Sequence, residues 1–239
     1  MSSFLAKAKG ITLDILFPPL CLVCQKALAV GEKETAICAN CFTSIPINNT
    51  LTCPICRARL ADNKKICHLN SSFRLAAASS YDNDIVKGLI WQLKYQRQTA
   101  ASSPLAQILL EHLRTLDFNL VSYEIMPVPL HQNRERKRGF NQSELIAASL
   151  SKKINLPINA GALKRVKDTP PQAETKDFEE REKNMANSFL VIKPEFIKSR
   201  KIILVDDVFT SGATLTAAVL ALKAAGAGRV IGLVVAKAG

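Results

Sequence analysis

The feature that most constrains this chain is a run of thirteen residues near its C-terminal end, Ile202-Ile-Leu-Val-Asp206-Asp207-Val208-Phe209-Thr210-Ser211-Gly212-Ala213-Thr214. Four apolar residues suited to a buried strand run into two acids, then into a small-residue turn that opens a helix. Loop amides and a helix N-terminus offer N–H donors and a positive dipole end to a phosphate, and Thr210, Ser211 and Thr214 add hydroxyls. Gly212 lets the backbone approach closely. Two carboxylates beside such a cradle repel a phosphate unless the ligand also carries hydroxyls or a metal. A ribose 5-phosphate carries a diol, so Asp206 and Asp207 are expected to accept from its 2′ and 3′ hydroxyls while the loop holds the phosphate. Ordinary helix capping accounts for Thr210 or Asp207 singly, but not for the ensemble.

The residues before this run alternate between strand and helix patterns. A strand is expected over residues 73–81, helices over 84–94 and 104–116, and a short apolar run over 125–130. A polar basic loop follows, then a helix over 142–153 and a long polar stretch over 164–187, too long for an ordinary connection. A strand over 201–206, a helix over 214–225 and a strand over 229–236 complete a βαβ order, which predicts an α/β domain with a parallel sheet.

The cysteines divide the chain. All seven lie between Cys21 and Cys67, and no residue after that is a cysteine. The pairs Cys21-x-x-Cys24 and Cys38-x-x-Cys41 are thirteen residues apart, which lets two thiolate knuckles close over one tetrahedral Zn2+ ion. A second set starts with Cys53 and Cys56 and continues at Cys67, where a full repeat would place a cysteine at the position of Asn70. The second site is therefore either Cys53, Cys56, Cys67 and His68, or an incomplete site that holds no metal. Structural zinc sites are closed to substrate, so this module scaffolds or binds rather than catalyses. The predicted organisation is a cysteine-rich module over 1–72 and an α/β domain over 73–239.

The formal charge is +12, from 32 Lys plus Arg against 20 Asp plus Glu, which makes polyanions plausible partners. Phe4, Leu5, Ala8, Ile11, Ile15 and Leu16 share a helical face, but Asp14 interrupts any signal-peptide core, so an amphipathic helix is expected there. Charges break every later apolar stretch before it reaches membrane-spanning length. The expectation is a soluble, cytoplasmic protein, where thiols stay reduced and paired cysteines indicate metal before disulfide.

The run over 202–214 resembles the motif of type I phosphoribosyltransferases for 5-phosphoribosyl 1-diphosphate (PRPP) at every position. Met126-Pro-Val-Pro-Leu130-His131, Arg134, and Lys137-Arg138-Gly139-Phe140-Asn141-Gln142 extend the likeness to the ComF family of competence and DNA-utilization proteins, which join a zinc ribbon to such a domain. Arg165, Thr169, Pro170, Gln172, Arg181 and Asn184 resemble that family's next motif, and Asn70 and Pro171 depart from its pattern. The resemblance implies PRPP binding, with Mg2+, by Asp206, Asp207, Val208, Phe209, Thr210, Ser211, Gly212, Ala213 and Thr214. It implies a diphosphate-binding loop containing Leu130, His131, Arg134 and Arg138, and catalytic positions at Asp206, Asp207 and Arg181.

Three functions fit these residues. The first is a DNA-uptake factor, near membrane-bound uptake machinery, that holds single-stranded DNA through Arg134, Arg136, Lys137, Arg138 and the ring of Phe140. The second is an active phosphoribosyltransferase with an unassigned acceptor, and the third a PRPP-sensing regulator without chemistry. Lys94 and Tyr95, after an apolar helix, are placed to face the pocket, and Tyr95 suits the core equally well.

Overall fold

The computed structural model describes residues 18–60, 67–68, 71–116, 119–168 and 187–238. The helix expected over 4–16, Asn70, and the expected site residue Arg181 lie outside the described residues.

Two cysteine knuckles with one hydrogen-bond pattern open the described chain. Cys21 N–H donates to Lys26 O and Gln25 N–H to Cys21 O; in the second knuckle Cys53 N–H donates to Ala58 O and Arg57 N–H to Cys53 O. Gln25 and Arg57 both adopt positive φ, 59° and 61°, to close these turns. Between the knuckles lie a short 3-10 turn (Val30–Glu32) and helix α1 (Ala39–Thr43).

The α/β part consists of β1 (Arg74–Ser80), α2 (Asp84–Tyr95), α3 (Ser102–Thr115), β2 (Tyr123–Pro127), α4 (Gln132–Arg138), α5 (Gln142–Ile154), β3 (Leu163–Arg165), β4 (Phe189–Val191), β5 (Lys201–Phe209), α6 (Ala213–Ala224) and β6 (Val230–Lys237). The main sheet has the order β1-β6-β5-β2, and all three pairings are parallel. Its central strands are buried on both faces, which is why β5 and β6 read as apolar runs rather than as alternating patterns. Helix α2 starts where the Asn83 side chain accepts from Val86 N–H, and buries Val86, Leu89, Ile90 and Leu93 on its inner face. Helix α6 lies close on the sheet at Gly232, where a Cβ would meet Leu215 Cδ2 at 2.4 Å.

Three elements depart from the expectations. The basic loop after Leu130 is helix α4. His131 caps its start, Arg136, Lys137 and Arg138 sit in the last turn where the dipole favours cations, and Gly139 at φ 92° stops it. Strand β5 runs on through both acids to Phe209, three residues beyond the expected end, because its pairing with β6 continues to Phe209–Lys237. The third is a small antiparallel β3–β4 hairpin that brackets the polar stretch; three-residue strands carry too little periodicity to be legible.

The cysteine module packs against the sheet. Thr52 and Leu75 exchange backbone hydrogen bonds of 2.8 and 3.1 Å, so the second knuckle covers the free edge of β1. Asn48 donates to Ala77 O and Ala78 O, and Cys21, Ile37, Leu51 and Cys53 share one hydrophobic cluster with α2, α3 and the sheet. No described helix is long and apolar enough to cross a membrane.

Candidate functional site

The carboxyl ends of β1, β2 and β5 open into a cavity of about 1010 Å³, the place where open parallel sheets bind ligands. Asp206, Asp207, Val208, Thr210 and Thr214 line its floor. Phe209 and Ala213 are buried behind them in the core. Gly212, at φ 88°, caps α6; a Cβ there would meet the Phe209 ring at 2.5 Å, so the turn admits only glycine. Ser211 Oγ accepts from Ala213 N–H at 3.4 Å, shaping the same turn.

The two acids differ. Asp207 is almost fully buried and pairs with Lys94 Nζ at 2.8 Å. Asp206 Oδ1 accepts from Ser143 Oγ at 2.7 Å and from Asp207 N–H at 2.9 Å. Burial, and then the neighbouring Asp207 charge, push the Asp206 carboxyl up to about 6 despite those donors and Lys94. Burial alone would lower the Lys94 ammonium, but the facing Asp207 and Asp206 charges hold it above its ordinary value. Lys94 and Tyr95 therefore both belong to the cavity lining rather than to the core.

The Arg138-Gly-Phe-Asn-Gln142 segment has a local reason for each residue. Arg138 enters the cavity and donates to Gln142 Oε1, and Gly139 ends α4. Asn141 caps α5 through Ser143 N–H and donates to Val128 O, fixing the strand-to-helix geometry that brings Ser143 onto Asp206. Phe140, expected as a stacking ring, is instead half-buried against the hydrophobic cluster.

Leu130, Arg134, Lys137 and Arg138 line the cavity, and Arg136 does not. His131 and Arg134 face Asp168, at 3.4 and 3.6 Å, and Asn133 Nδ2 donates to the same carboxylate at 2.9 Å. The Asn133 hydrogen bond, then the His131, Arg134 and Lys137 charges, hold the Asp168 carboxyl below its ordinary range. Asp168 was missed in sequence because its partners lie more than thirty residues away. Arg165 is buried over the Phe189 ring at 5.7 Å and also lines the cavity. Burial, then the charge of Arg134, lower its guanidinium to about 10. With Lys94 and Arg97, six cationic side chains and three carboxylates among the described residues line the cavity. Such a balance suits a polyanion that also presents hydroxyls.

Both cysteine clusters have the dimensions of a tetrahedral metal site. The Sγ atoms of Cys21, Cys24, Cys38 and Cys41 lie within 4.8 Å of one another, with Cys24 and Cys38 at 3.7 Å. Zinc with four thiolates at ~2.3 Å places sulfurs roughly 3.8 Å apart. Cys53, Cys56, Cys67 and His68 form a second such group, with Nδ1 of His68 at 3.5 Å from Cys53 Sγ and 3.1 Å from Cys67 Sγ. Of the two readings of the second set, the complete four-donor one is therefore what the fold brings together. Burial raises the Cys21 thiol, but backbone N–H donors outweigh it and bring it down to about 7, while burial and the three neighbouring thiols push the Cys41 thiol well above its ordinary value.

Residues 12–69 match the double zinc ribbon domain and residues 101–239 the phosphoribosyl transferase domain. The DNA utilization protein YhgH of Escherichia coli (strain K12) is 31% identical over 207 residues, covering 83% of this chain and 88% of that protein. Competence protein F of Haemophilus influenzae is 28% identical over 74% of this chain and 86% of its own. Competence protein ComFC of Bacillus subtilis is 23% identical over 82% and 85%. The chain belongs to the ComF family.

One contact between the two ComF modules reaches the site itself. Arg57, on the second knuckle beside Cys56, donates to Thr210 O at 2.9 Å, so the ribbon supports the small-residue turn from behind. The pairing spans 153 positions, and nothing local in the sequence signals it.

Proposed function

We propose that this ComF-family chain binds PRPP with Mg2+ in the cavity and handles single-stranded DNA beside it during DNA uptake. The observation that carries the reading is the joint placement of a glycine-gated turn, two adjacent acids and six cationic side chains around one opening. The turn at 210–212 and the start of α6 receive the 5′-phosphate. Asp206 and Asp207 take the ribose hydroxyls, with Lys94 compensating their charge. Arg134, Lys137, Arg138 and Arg165 face the diphosphate, where planar guanidinium forks suit phosphate oxygens. Magnesium, when bound, neutralises diphosphate charge. The ribbon, taken as residues 1–72 ahead of a 73–239 transferase-type domain, holds two Zn2+ ions. The location we assign is the cytoplasm, where the thiols stay reduced.

A second reading is an active phosphoribosyltransferase. It is favoured by a cavity at the upper end of the usual range for small-molecule sites, large enough for an acceptor beside PRPP. Asp206 and Asp207, the latter held by Lys94, would then orient the sugar, and their carboxylates would stabilise positive charge developing at C1′. The test is calorimetric titration of the zinc-loaded protein with PRPP and Mg2+, with and without a single-stranded oligonucleotide, while diphosphate release is followed. Binding with DNA-dependent release makes the protein an enzyme acting on or beside nucleic acid. Binding without release makes it a PRPP-responsive uptake factor, and absence of binding overturns the assignment of the cavity.

A further inference from the structure

The nucleic-acid half of that function has no stacking ring at Phe140, yet two large aromatic side chains stand exposed beside the cavity. Trp91 and Tyr95 are 51% and 67% exposed, one helical turn apart on α2, on the face opposite the buried Val86, Leu89, Ile90 and Leu93. Their ring centroids are 6.5 Å apart. Tyr95 lines the cavity, and Trp91 stands one turn N-terminal to it on the same helix. Cations flank the pair at both ends. The Arg138 guanidinium sits 6.0 Å over the Tyr95 ring, and Arg97 donates to Lys137 O at 3.0 Å, joining two cation-bearing segments at the rim. Lys87, one turn N-terminal to Trp91 on the same stripe, sits 6.0 Å over the Tyr81 ring, which also lines the cavity.

We propose that Trp91 and Tyr95 form a stacking track for successive bases of a single strand, with Arg97, Lys137 and Arg138 holding its phosphates and Tyr95 delivering one base to the cavity mouth. This rests on the reading that the protein binds single-stranded DNA, and it names the path. Two exposed rings in line with a basic rim match what single-strand sites use: π-faces that accept any base, and charge that follows the backbone. A free protein helix docking on the same rings would want apolar neighbours, whereas the neighbours here are cationic.

Trp91 is the only tryptophan of the chain, so its fluorescence reports the track directly. The full-length, zinc-loaded protein is titrated with a short oligothymidylate, with an abasic phosphodiester strand of equal length, and with thymidine monophosphate. The expected result is quenching of Trp91 by the oligothymidylate alone, and, read for every variant by the anisotropy of a dye-labelled oligothymidylate because the Trp91 variants lack the fluorophore, affinity lost roughly tenfold in each of Trp91→Leu and Tyr95→Leu and retained in Trp91→Phe and Tyr95→Phe. The leucine variants keep the wild-type salt slope, because phosphate contacts survive, whereas Lys137→Gln lowers it. Equal binding of the abasic strand, or oligonucleotide binding that leaves Trp91 emission and the leucine variants unchanged, overturns the track while leaving DNA binding intact. Monophosphate binding as tight as the oligomer replaces the strand with a single nucleotide and also overturns it. No binding by wild type to any of the three overturns the DNA reading itself.

Discussion

Asp206 is the residue at which function and stability oppose each other most directly. Its carboxyl is raised to about 6 from 3.8, so between those values the native state binds more protons than the unfolded chain. Stability associated with the protonated group is fully present below 3.8 and is lost as pH rises through about 6. At 1.36 kcal/mol per pKa unit, ionised Asp206 costs the fold at most about 3 kcal/mol near neutral pH, and about 1 kcal/mol if cavity water screens it. Asp206→Asn keeps the oxygen that accepts from Ser143 and Asp207 N–H, and removes the charge. Urea unfolding at pH 8 should show the variant more stable than wild type by about 1–3 kcal/mol, with the difference shrinking on acidification and vanishing only below the unfolded value of 3.8. Calorimetry should show PRPP affinity lost at the same time, since a carboxylate acceptor for the ribose diol has gone. A variant that is less stable at pH 8, or a stability gap that does not close on acidification, would refute the electrostatic account. Unchanged PRPP affinity would refute the diol assignment.

Asp168 occupies His131 and the cation of Arg134, both expected to meet diphosphate; Asp168→Asn should tighten diphosphate binding several-fold at low salt, with the gain shrinking as salt rises. Isothermal titration at two ionic strengths checks this, and weaker binding would mean that Asp168 organises the loop instead of competing with the ligand. Arg57→Ala should weaken PRPP binding by about fivefold to tenfold while zinc content stays at the wild-type level, because the Thr210 turn loses a support and no zinc-donor atom is removed. Elemental analysis should find two zinc ions per chain, with Cys21→Ser and Cys53→Ser each releasing one; a single zinc ion in wild type that Cys53→Ser leaves in place would show that the second group holds no metal.

Much of the ComF architecture was legible from local chemistry. A buried strand, two acids and a hydroxyl-rich turn at 202–214 have few other uses, and paired CxxC knuckles specify their metal geometry through spacing alone. Helix α4 could have been read from the same kind of signal: a capping histidine, three cations in the last turn and a glycine stop. The β3–β4 hairpin could not, because three residues per strand leave no period to detect.

The sequence by itself determined the acids, hydroxyls and thiols from which the proposed phosphate, diol and metal sites are built, since each group is written in near-contiguous residues with fixed local geometry. The tertiary structure decided which of them meet. It paired Lys94 with Asp207 and Ser143 with Asp206, aimed Arg57 at the Thr210 turn, gave His131 and Arg134 to Asp168, and turned Phe140 inward while leaving Trp91 and Tyr95 exposed. The reason is physical: hydrogen bonds, charge pairing and burial depend on distance in space, and parallel crossovers bring together residues whose separation in sequence carries no record of that distance.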